Sequence, residues 1–166
     1  MLGLVASLAF SMAAQGDDLP EYRLKTAFAY NFVAYTEWPA STGNALNLCI
    51  DGTDPFGKEI DGLQGKVVAG RTLSVLRKAS GEPLKDCQVV FLTASTLDHL
   101  PRTLESLRGR PVLTLADSAG AMRRGVALNM NMVQGKVTFE ANLQAARAAG
   151  LDLSSKLLRL ATEVQQ

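Results

Sequence analysis

The chain has 166 residues, and its 17 Lys and Arg stand against 16 Asp and Glu for a formal net charge of +1. That length suits one ordinary domain whose core needs no metal to hold it. The balanced charge leaves no electrostatic footprint for nucleic acid or for an anionic membrane surface.

Residues 1–14, MLGLVASLAFSMAA, carry no charged side chain and end in small residues around Ser11, Met12 and Ala13. This reads as a secretory signal peptide, leaving one domain over residues 15–166. The run is shorter than the ~20 residues a membrane-spanning helix needs. The mature chain is therefore expected outside the cytoplasm. In an oxidising compartment the even cysteine count points to a Cys49–Cys87 disulfide; the alternative is two buried free thiols. Two cysteines and one histidine, His99, do not supply a four-ligand zinc pattern, so no metal and no cofactor is expected.

Pro20 and Glu21 suit the first turn of a helix that places Leu24, Ala27, Phe28, Asn31, Phe32 and Tyr35 on one face. It should stop before Trp38-Pro39, because the residue preceding proline avoids helical angles. Packing against a sheet is the expected use of its aromatic stripe, ahead of a ligand platform. Leu46, Leu48 and Ile50 alternate as a first strand ended by Asp51-Gly52. Asp54-Pro55-Phe56 then opens a short helix through Ile60 and Leu63. Gly52, Asp54 and Phe56 sit where a strand end meets a helix, a place suited to small ligands. No phosphate-loop pattern accompanies them, so Asp54 reads as a cap first.

Residues 71–76 form the next strand, with Leu73 and Val75 inward. Cys87 to Leu92 follows, and its VVFL run has the composition of a strand covered on both faces. Thr96 is expected to cap a helix through Leu97, Leu100, Leu104 and Leu107, with Pro101 tolerated in its first turn. After Gly109, residues 112–116 give another apolar strand, so strand, helix and strand make a parallel crossover.

Residues 126–132 and 136–140 read as a hairpin around Gln134-Gly135. Asn129, Met130, Asn131 and Met132 alternate amide and thioether, implying one wet and one apolar face. Beyond Glu140 the apolar period changes from two to about 3.6, and Asn142 can cap a helix carrying Leu143, Ala146 and Ala149. Gly150 ends that helix, and Ser154 caps another with Leu157, Leu158 and Ala161. The expected fold is a single α/β domain, with a mixed sheet of about six strands flanked by helices on both faces.

Catalytic groupings are missing. His99 follows Asp98 on an expected surface helix, and no serine lies in a G-x-S-x-G elbow. An enzyme is therefore not expected, and binding or regulation becomes the default. Candidate contact residues are Glu140, Asn142, Arg123 and Arg124 around an apolar patch of Leu143, Ala146, Leu151 and Leu158. The plainer reading of Glu140 is a carboxylate placed near a helix N-terminus.

LKTAFAYNFVAYTEWP (24–39), LCIDGTDPFG (48–57), GRTLSV (70–75), DCQVVFLTAS (86–95), VLTLAD (112–117) and VTFEANLQAARAAGLDLSSKLLRLA (137–161) occur in one order across the chain. This ordered set resembles the YfiR-type periplasmic proteins. The resemblance implies a periplasmic, often dimeric α/β protein that represses a membrane-bound diguanylate cyclase by engaging its periplasmic sensor region. Cyclic di-GMP and biofilm formation would then be under its control. It also implies redox control through disulfides, with Cys49 and Cys87 matching one pair; a second, later pair found in some members has no counterpart here. An extracytoplasmic small-molecule sensor is the alternative role.

Overall fold

A computed structural model describes residues 18–166, with side chains from Glu21 onward. The signal peptide expected over residues 1–14 lies outside the described residues. Helix α1 (Asp18–Ala34) is followed by a two-residue strand β1 (Thr36–Glu37), β2 (Ala45–Asp51), β3 (Val67–Val68), β4 (Arg71–Lys78) and β5 (Val89–Leu92). Then come α2 (Leu100–Leu107), β6 (Leu113–Ala116), β7 (Leu128–Val133), β8 (Lys136–Asn142), α3 (Leu143–Ala148), β9 (Asp152–Leu153), α4 (Ser155–Leu158) and β10 (Glu163–Gln165).

Eight strands form one mixed sheet in the order β10-β8-β7-β6-β5-β2-β4-β3, and β1 pairs with β9 in a small antiparallel sheet. The α/β expectation holds, with eight strands in place of about six. The central strands β4, β2, β5, β6 and β7 run parallel, while β8 returns antiparallel to β7 through the expected turn at Gln134-Gly135.

Alternation divides the core into two layers. Leu46, Leu48, Ile50, Val89, Phe91, Leu113 and Leu115 face the layer under α1 and the 3-10 segment Gly57–Leu63. Cys49, Val90, Leu92 and Ala116 face the layer under α2, with Leu100 and Leu107. The VVFL strand is thus covered on both faces, as its composition required. Phe28, Phe32 and Phe139 lock α1 to β8 through edge-on ring contacts with centroids 5.0–6.1 Å apart.

Helix α1 is rotated from the expected stripe. Lys25, Thr26, Ala29, Phe32 and Val33 are buried, whereas Leu24, Ala27, Asn31 and Tyr35 are exposed. Hydropathy places a lysine outward, but Lys25 pairs with Glu21 and with Asp117 and so turns inward. The helix stops before Trp38-Pro39, as expected.

Thr96 does not cap α2. Residues Ala94–His99 form a 3-10 segment in which the Thr96 hydroxyl donates to the Thr93 carbonyl, and α2 begins at Leu100 with Pro101 in its first turn. At the C-terminal corner both expected caps are present. Asn142 Oδ1 accepts from Ala145 N at 2.8 Å, and Ser154 Oγ accepts from Leu157 N at 3.2 Å. Gly150, at φ 75°, closes the turn between them.

Candidate functional site

The corner built by β8, β10 and the 3-10 turn Met122–Arg124 gathers much of the expected contact surface. Chain reversal after α4 brings β10 alongside β8 in parallel, so Glu163 falls in register with Glu140. Register partners share a face, which puts two carboxylates side by side. Arg123 reaches across with Nη2 3.3 Å from Glu163 Oε2, both side chains solvent-facing. Glu140 is half-buried and accepts from Asn129 Nδ2 at 3.3 Å. The two ends of this group differ: Glu140 is tied into the sheet, and Arg123 can be drawn away at little cost.

Arg124 turns to the opposite side, donating from Nη2 to the Leu97 carbonyl at 2.6 Å. Asn142 is buried; besides capping α3, it donates to the Met122 carbonyl at 3.1 Å and so holds the turn that carries Arg123.

The apolar patch needs correction. Leu143, Ala146 and Leu151 are 3%, 1% and 2% exposed and belong to the core beneath α3. An amphipathic stripe looks alike whether it meets a partner or the molecule's own sheet, and here the sheet covers it. Leu158 is half-buried against that core. The apolar side chain that does reach solvent is Leu160, 73% exposed, between α4 and β10. Position gave no hint of it, because a single leucine after a short helix carries no periodic signal.

Of the ligand candidates at the β2 end, Phe56 is 2% exposed and packs edge-on against Tyr22 and Phe91. Asp54 Oδ1 accepts from Phe56 N at 2.7 Å, and its Oδ2 accepts from Arg77 Nε at 2.8 Å. Both residues are thus structural. Arg77, hydrogen-bonded to Asp61 and then to Asp54, is held even more firmly in its charged form than usual. Gly52 lies just past the end of β2, closely covered by the side chains of Thr93, Ser95 and Thr96. A Cβ there would fall 2.4 Å from Ser95 Oγ and 2.5 Å from Thr93 Oγ1, and φ is 97°, so only glycine lets the turn after β2 lie this close to the residues that follow β5.

Three buried polar residues, Lys25, Asn129 and Asp51, were hidden from sequence reasoning. Lys25 lies between Glu21 and Asp117, and Tyr22 also donates to Asp117 at 3.0 Å. Asn129, wholly buried, accepts from Ser118 N at 3.1 Å, so the expected wet face of β7 is wet only from Asn131 outward. Asp51, at the end of β2, is 3% exposed, and its Oδ1 meets no donor among the described residues. Burial raises its carboxyl above the ordinary value.

Cys49 and Cys87 are disulfide-bonded and fully buried. Among the described residues no helix is long and apolar enough to cross a membrane, and no three His, Cys, Asp or Glu side chains converge on a metal-sized space.

The family model described as YfiR/HmsC-like matches residues 22–162, which takes in most of the aromatic helix, the disulfide and the β8 side of the corner, and stops just before β10. The chain belongs to the YfiR/HmsC-like family. This is a family of periplasmic regulators in cyclic di-GMP signalling, not one defined by a catalytic reaction. The fold is also similar to a solved conserved domain protein from Vibrio cholerae O1 biovar El Tor, with TM-score 0.55 and 8% identity. That likeness covers 87% of this chain and 60% of the other, so this YfiR/HmsC-like chain matches little more than half of that protein.

Proposed function

We propose that this YfiR/HmsC-like protein is a periplasmic repressor that binds the periplasmic sensor region of a membrane-bound diguanylate cyclase and holds its output of cyclic di-GMP down. The observation that carries this reading is the family match over residues 22–162, which spans nearly all of the folded chain. The geometry supports a contact surface at the corner: Arg123 and Glu163 exposed on one rim, Leu160 standing free beside them, and Glu140 anchored behind. An exposed apolar side chain close in sequence to an exposed ion pair suits such a contact.

The repressor acts in this proposal as a homodimer. Deleting the gene should raise cellular cyclic di-GMP and biofilm formation, and the tagged protein should retain a membrane cyclase after mild cross-linking. Unchanged cyclic di-GMP in the deletion strain, with no cyclase retained, would refute the reading.

A further inference from the structure

The connections leaving β2 and β5 diverge: β2 leads by way of residues 57–63 to β4 on one side, and β5 leads by way of α2 to β6 on the other. Adjacent parallel strands whose connections part in this way leave a crevice beyond their C-terminal ends, the place where open α/β sheets hold ligands. Here two adjoining cavities of about 330 and 220 Å³ occupy that region, between α2 and the loop 80–85. They share Asp51, Gly81, Arg102 and Thr103.

Asp51 forms the floor. Its Oδ1 is fully enclosed and meets no donor among the described residues, which is costly for a carboxyl group unless something else supplies one. The rim has the opposite sign, with Arg102 and Lys85, and His99 stands on the wall of the smaller cavity. Arg110, also on the wall, is occupied by the carbonyls of Leu84, Lys85 and Cys87 at 2.7–3.3 Å, so it shapes the site and does not reach into it. Glu82, the other acid on the wall, accepts from Ala79 N at 3.0 Å. The disulfide from Cys49, two residues before Asp51, to Cys87, two residues after Lys85, ties the floor strand to the wall segment.

We propose that this crevice binds a small zwitterionic ligand, its ammonium on Asp51 and its carboxylate on Arg102. A simple anion would meet the Asp51 carboxylate, and a simple cation would have to pass the basic rim. A molecule bearing both charges satisfies both ends. Thr103 also lines both cavities, whereas the Thr96 hydroxyl already donates to the Thr93 carbonyl. Each cavity taken singly lies at or below the small end of ligand sites, which selects short molecules. The assignment is independent of the repressor reading, because binding is measured on the purified chain with no cyclase present.

The test is titration of the purified protein with glycine, γ-aminobutyrate and aspartate, read by calorimetry and by melting temperature, with acetate and ethylammonium as half-molecule controls. At least one zwitterion should give saturable heat and a melting temperature that climbs with its concentration, while neither half-molecule does. Arg102→Gln, an exposed change that leaves the fold intact, should weaken that binding about tenfold, the loss of one charge-assisted contact. Asp51→Asn should weaken it at least as much. No response to any of the three zwitterions, equal binding of acetate or ethylammonium alone, or full affinity retained in Arg102→Gln would overturn the assignment.

Discussion

Lys25 Nζ lies 2.8 Å from Asp117 Oδ2, although the two side chains are only 4% and 7% exposed. A charge pair this deep is worth little by itself, but removing Lys25 leaves Asp117 buried with only the Tyr22 hydroxyl, whereas removing Asp117 leaves Lys25 paired with Glu21. Lys25→Met should therefore cost about 3 kcal/mol or more, and Asp117→Ala less, because Glu21 still faces Lys25. The double variant should recover much of the loss, because the orphaned charge is gone. Urea midpoints of the four proteins check this; purely additive losses would contradict it.

The Cys49–Cys87 bridge closes a sequence separation of 38 residues. On the chain-entropy account its removal costs about 3 to 4 kcal/mol. Cys49→Ala with Cys87→Ala should show that loss in denaturant midpoint, and reductant should bring the wild-type protein down to nearly the same value. A wild-type protein insensitive to reductant under partly unfolding conditions would count against the bridge.

Legibility from sequence followed the physics of each element. Strands β2, β5 and β6 and the β7–β8 hairpin were plain because alternation or a continuous apolar run is local. The caps at Asn142 and Ser154 were plain for the same reason. Strands β1, β3, β9 and β10 are two or three residues long, and they exist only because distant partners meet, as in Thr36 opposite Leu153 and Val164 opposite Ala141. Lys25, Asn129 and Asp51 were hidden because residue type argues for solvent, and only tertiary pairing or enclosure reverses that. Leu143, Ala146 and Leu151 were recognised as one apolar face; what sequence does not specify is which surface covers it.

Gly52 tests the close approach of the turn after β2 to the side chains of Thr93 and Ser95. Gly52→Ala adds a Cβ 2.4 Å from Ser95 Oγ at a backbone angle that alanine avoids, so it should destabilise by about 2 kcal/mol or more. Gly120→Ala, at φ 77° with nothing within 4 Å of the added Cβ, should cost only the conformational part, about 1 kcal/mol. Thermal or urea melts compare the two, and equal losses would mean the crossing is not tight.

Asp51 sets a pH dependence of definite sign. Burial raises its folded carboxyl above the ordinary 3.8, so the folded state holds this proton more firmly than the unfolded state does. Stability should therefore fall as pH rises from about 4 through the folded value, the reverse of a paired carboxylate. His99, Lys85, Arg102, Arg110 and Glu82 line the same cavities and are present in both wild type and variant, so the difference between the two proteins isolates Asp51. Asp51→Asn should remove this dependence, gaining on the wild type at pH 7 relative to pH 4. A difference between the two proteins that does not vary with pH would contradict the enclosure of Asp51.

The most direct measurement of the regulatory account is cellular cyclic di-GMP in a deletion strain supplied with Arg123→Glu/Leu160→Asp. Both changes sit on exposed side chains, so the variant should melt with the wild type, and its level in the periplasm should match. If the chain works by surface contact at this corner, the wild-type copy restores low cyclic di-GMP and the variant leaves it high. A folded variant that represses as well as the wild type would contradict the account.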